Sequence, residues 1–175
     1  VLSSAQIRAL SNTQVDALGT DQLAVLTTAQ VAALTTAQLQ VLSGADLSAL
    51  DSARIAALTT AQVASLSTDQ VATLASEDLA ALTTAQVRAL STDAIVALDS
   101  TQLNALTTAQ VAALSTAQVA AIESDDVTAL DSTALRAFTS GQIAALTEDQ
   151  VDALGTTQLS LLTTAQVMAL TTAQL

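Results

Sequence analysis

Apolar residues recur along this chain at alternating intervals of five and three, without a single slip of register. If the eight positions are lettered a to h from Leu2, position a falls at Leu2, Leu10, Leu18 and every eighth residue to Leu170. It is Leu throughout except at Ile122 and Phe138. Position f, from Ile7 and Val15 to Val167 and Leu175, is always Val, Ile or Leu. Position c is Ser or Thr except at Asn12, Gly44 and Glu148; e is usually Gln and h mostly Ala, while d and g vary. The consensus is L-[TSD]-[TS]-x-Q-[VLI]-x-A, restated about 22 times over residues 1–175. The expected organisation is one continuous array with no linker and no second domain.

A straight helix advances about 100° per residue, so eight residues overshoot two turns by about 80°. Leucines at that spacing spiral around one long helix instead of forming a seam, which excludes a simple coiled coil. Within a single octad the helical reading works. Taking e as the origin, h lies near about −60°, the next a near about 40° and f near about 100°. The near-invariant positions share one face, and c, d and g share the other, as an amphipathic helix requires. Each octad therefore predicts one helix of about six residues.

The polar phrase supplies the start signal. Ser, Thr or Asp at b followed three residues later by Gln or Asp at e is the capping-box pattern, in which each side chain satisfies the other residue's orphan N–H. "TTAQ" at 27–30, "STDQ" at 67–70 and "TEDQ" at 147–150 fit it. The acids Asp21, Asp69 and Asp149 at d fall in the first turn, where the helix dipole favours them. A cap one residue later, at c, is the alternative boundary.

A six-residue helix is unstable alone, because isolated helices below about 12–15 residues are marginal in water. Neighbouring octads must bury the a and f side chains. The expected fold is all-α, a solenoid or superhelix of short helices, one per octad, around a narrow Leu/Val/Ala core. The alternative is a β-solenoid, since Thr and Val favour strands and an even repeat preserves strand facing. Abundant Ala and Gln, and few residues suited to tight corners, favour the helices.

Composition restricts the chemistry. The chain has no His, Cys, Lys, Tyr, Trp or Pro, so the usual general bases, thiolate nucleophiles, Schiff-base formers and soft metal ligands are missing. No enzymatic activity, catalytic residue, cofactor or metal site is expected. The acidic runs "ESDD" at 123–126 and "SED" at 76–78 form no EF-hand loop or calcium-binding nonapeptide and are read as solvated helix starts. Gln at e invites comparison with a ligand-contacting ladder, but a cap or an inter-turn hydrogen bond is the expected role, because buried polar groups need partners. Its replacement at Asp46, Arg54, Ala94 and Ala134 argues that no single copy is indispensable. Phe138 and Met168 are read as core filler or surface variation.

Net charge is −12, with Arg8, Arg54, Arg88 and Arg136 the sole cations. Nucleic acid and anionic membranes are recognised by basic patches, so neither is an expected partner. No apolar run reaches the roughly 18 residues of a membrane span, and the first residues, "VLSSAQIRAL", lack a signal peptide's features. With no initiator Met, the chain is expected to be a segment of something longer.

"LTTAQVAAL" is similar to the "LTPEQVVAI" helix start of TAL-effector DNA-binding repeats, whose units of about 34 residues and basic surroundings are absent here; that likeness covers one capped helix start. The sequence from 2 to 175 resembles the LTTAQVAAL-type octapeptide arrays of large bacterial secreted and surface proteins. That resemblance implies extracellular or cell-surface spacing, adhesion or filament formation. The expected function is an elongated spacer or filament-forming segment, with head-to-tail self-association as the candidate partnership. A protein- or glycan-binding scaffold displaying d and g is the alternative. An ice-binding threonine array is a further one, broken at b by Gly19, Asp51, Asp99, Glu123, Asp131 and Gly155.

Overall fold

The computed structural model describes residues 2–175. Among them are 21 α-helices of four to six residues and no strand, so the all-α expectation holds and the β-solenoid alternative does not. The chain forms two compact units, the first ending at Leu90 and the second spanning Ser91–Leu175.

Within an octad the helix starts where the capping box predicts. Position b is the N-cap, extended at φ −75° and ψ 162° for Ser3, and the helix runs from c. The N–H of f donates to the carbonyl of b, as in Ile7 to Ser3 at 3.0 Å. The N–H of the next a closes the last turn onto f, as in Leu10 to Ile7 at 3.2 Å. Where the helix runs through h, the following a is extended, with φ −63° and ψ 142° at Leu10. Positions a and b therefore make a two-residue extended corner between helices. No described residue has positive φ, which is why the corners need no glycine and the array carries only four.

Three octads complete one turn of the coil. In the first unit Ser4–Ala9 packs on Thr28–Ala33, and Ser52–Ala56 on Ser76–Ala81. In the second unit Thr108–Ala113 packs on Ser132–Ala137, and Ser124–Ala129 on Glu148–Ala153. Each unit is thus a solenoid with three helices per turn. Helices three octads apart stack into columns, and the f and a side chains fill the space between them.

Every f residue from Ile7 to Val151 and every a residue from Leu26 to Leu154 is buried. Phe138 is among them, as core filler, whereas Met168 is exposed. The five-three spacing of f and a places two apolar side chains on the inner face of each short helix. Apart from Phe138 the core that results is aliphatic, and it is thin, so each side chain in it has few substitutes. Leu47→Ala, at a fully buried f position, is expected to destabilise its unit by about 2–5 kcal/mol in urea unfolding, because the cavity cannot collapse. Leu175→Ala, at an exposed f position, is expected to change stability by less than about 0.5 kcal/mol.

Candidate functional site

The consensus residue with the most chemistry is Gln at e, and the structure shows where its amide goes. Gln38 occupies the third helical position of Thr36–Gln40 and is almost fully buried. Its Oε1 accepts from the Thr35 N–H at 2.8 Å, while Thr35 Oγ1 accepts from the Gln38 N–H at 3.1 Å. Its Nε2 points across to the preceding turn, donating to the carbonyls of Leu10 at 2.7 Å and Ile7 at 3.0 Å. One planar group thus caps its own helix with its acceptor and ties down the end of the helix below with its donors.

The arrangement repeats with little change. Gln62 donates to Val31 and Leu34, and Gln70 to Leu39 and Leu42, at 2.6–3.0 Å. In the second unit Gln142 donates to Val111 and Leu114, Gln150 to Val119 and Ile122, and Gln166 to Leu135 and Phe138. The carbonyls reached are those of f and the following a, 31 and 28 residues earlier. They lie at a helix's C-terminal end: the f carbonyl also accepts from the N–H of the following a, whereas the a carbonyl has no partner within the helix. Cap and inter-turn bond, the two structural roles expected of this glutamine, are both made by the same side chain. Among the described residues no buried side-chain nitrogen or oxygen lacks a hydrogen-bond partner.

The threonine array splits by role. At b the hydroxyl is spent on the cap, as in Thr27, Thr59 and Thr107, and most c residues, such as Thr28, Thr60 and Thr108, are exposed. Position g, which the sequence leaves free, is used on that surface. Arg8 Nε donates to the Ala33 carbonyl, Ser48 Oγ to Thr73, and Arg136 Nε to Leu161, each 25 residues on. The outer face therefore carries a second, optional tie between turns, which sequence reasoning missed because any donor long enough to reach will serve.

The two acidic runs do different things. Asp78 replaces Gln at e, is buried, and accepts from Ser52 Oγ of the turn below at 2.8 Å. Asp126 also stands at e. Burial, followed by the like charges of Glu123, Asp99 and Asp125, raises its carboxyl above the ordinary 3.8, against the opposing pull of the Ser100 N–H. Asp51 moves the other way: the Arg54 N–H at 3.0 Å, aided by the Arg54 guanidinium, lowers it. Among the described residues no group of three or more acids is placed to hold a metal ion, and no helix is long and apolar enough to cross a membrane.

A protein-family model described as the ALTTAQ repeat matches residues 1–28, 42–76, 71–108, 95–121 and 119–156, and no curated protein matches the chain.

Two measurements test the site. Gln38→Ala removes the inter-turn donor to the Ile7 and Leu10 carbonyls together with the cap acceptor and is expected to cost about 1–3 kcal/mol, read by urea unfolding; Gln14→Ala, whose exposed side chain makes only the cap bond, is expected to cost less. For Asp126 the raised folded value means that its stability contribution is full below the unfolded 3.8 and is lost as pH rises through the folded value. Asp126→Gln is therefore expected to raise the melting temperature at pH 7, with the gain shrinking toward pH 3; a gain independent of pH overturns that assignment.

Proposed function

Because the chain belongs to the ALTTAQ repeat family, we propose that this tandem-repeat structural protein serves as an elongated spacer or filament-forming segment in a bacterial surface or extracellular assembly. It does so without catalysis and without nucleic acid as a partner. The observation that carries the reading is the self-copying interface between turns. Each turn offers Gln Nε2 donors toward the preceding turn and f and a carbonyls toward the following one. An interface of this kind adds turns without changing its chemistry, so reach grows in proportion to the number of octads.

The same complementarity supports extension between chains. Donors of one copy facing carbonyls of the next would make a heterologous contact, and such a contact that does not close propagates as a fibre. An acidic, aromatic-poor outer surface supports a role in separation over one in recognition, since aromatic and arginine anchors dominate binding hot spots. The lack of cysteine is compatible with an oxidising compartment, where disulfides are an option and not a requirement.

Negative-stain electron microscopy of the purified chain across a concentration series tests the proposal. Uniform filaments that lengthen with concentration are expected if turns stack across chain ends. Separate particles of constant size at every concentration overturn the filament reading and leave the spacer.

A further inference from the structure

Octads depart from the consensus at scattered places, and several of the departures are matched by a residue in the same octad or on the adjacent turn. Position c is normally Ser or Thr, and the residue 29 positions on, at h, is normally Ala, as in Thr28 with Ala57, Ser52 with Ala81 and Thr60 with Ala89. At one place h is Thr73, and there c is Gly44. A Cβ built on Gly44 would lie 2.4 Å from Thr73 Oγ1 and 2.7 Å from its Cγ2, closer than packing permits. The glycine is not required by its backbone angle, since it has no positive φ; it makes room for the threonine one turn on.

Three further cases concern the clamp itself. Where e is Arg54, b is Asp51. The aspartate takes the cap by accepting from the Arg54 N–H, and Arg54 Nε donates to the Leu26 carbonyl, 28 residues back as a glutamine would. Where e is Asp78, the carboxylate cannot donate, and the residue it meets on the turn below, Ser52, supplies a donor hydroxyl. Where e is Ala134, the side chain at e cannot accept from the Asp131 N–H. Asn104, one turn earlier at g, does so with Oδ1 at 2.9 Å, while its Nδ2 donates to the Ala129 carbonyl at 3.0 Å. Asn104 thus supplies from the preceding turn the acceptor that a glutamine would have supplied from its own.

We propose that Gly44 with Thr73 and Asn104 with Ala134 are compensating pairs that restrict which octad can stack on which at those turns, so that the array is not a string of fully interchangeable units. Each member is costly without its partner. Thr73 over a c position bearing a side chain would clash, and Ala134 without Asn104 would leave the Asp131 N–H without its protein acceptor. The octads that carry Thr73 and Ala134 are in this way matched to the turns that carry Gly44 and Asn104. The residues involved are therefore specificity-determining residues of the turn-to-turn interface.

Two double-variant cycles on the full chain test this. Asn104→Ala is expected to lower the melting temperature by about 5 °C and to speed hydrogen exchange of the Asp131 N–H about tenfold. Adding Ala134→Gln is expected to restore both, because the new side chain can accept from that N–H and donate to the Leu103 and Leu106 carbonyls. Gly44→Ala is expected to destabilise the first unit or to prevent its folding, while Gly44→Ala with Thr73→Ala is expected to fold and melt near the parent. Either the double variant restoring nothing beyond the sum of the singles, or Asn104→Ala leaving melting and exchange unchanged, overturns the proposal.

Discussion

The structure depends on a glutamine amide that faces two ways. A helix of four to six residues is all termini: its first four N–H groups and last four carbonyls lack intrahelical partners, which leaves almost nothing satisfied by the helix alone. Repeating such a helix every eight residues multiplies that deficit along the chain. Gln at e answers it from both sides, its Oε1 taking the N-cap N–H of its own helix and its Nε2 taking two carbonyls of the helix one turn below. Glutamate could accept but not donate, and asparagine is shorter by a methylene. The amide also explains how a polar side chain can occupy the middle of the buried face among Leu and Val.

The clamp and the aliphatic core limit each other. Burial of a and f draws stacked helices together, and the clamp sets how they meet, since its donors reach carbonyls 28 to 31 residues earlier. Extended a–b corners give the chain its change of direction without glycine or proline, and the same b residue that forms the corner caps the next helix. Changing any of these three elements disturbs the others, which accounts for the near-invariance of a and f and the strong preferences at b and e beside the variety at d and g.

Charge enters as a modulation of this scheme. Asp126 brings a carboxylate to a position built for an amide, with Asp99, Glu123 and Asp125 nearby, and burial and like charge together disfavour its ionised form. Asp51 instead gains a partner in Arg54 and is held ionised. The two respond to acid in opposite senses, so the same residue type at two places in one repeat can strengthen or weaken a turn according to its neighbours.

Much of this was legible in the chain. The five-three apolar spacing determined that each octad is one short amphipathic helix, and Ser or Thr at b with Gln at e determined where each helix starts, because both are local properties of eight consecutive residues. The role of Gln at e was only half legible: its cap partner lies three residues away, whereas its carbonyl partners lie 28 and 31 away, at a distance that no local pattern can reveal. Asn104, Gly44 and the g donors were illegible for the same reason, since each looks like a free surface variation until a neighbouring turn is laid against it. The sequence by itself determined the unit, its boundaries and its inner face; only the tertiary structure decided that three units make a turn, because that number is set by which carbonyls come within reach of the amide once the helices are stacked.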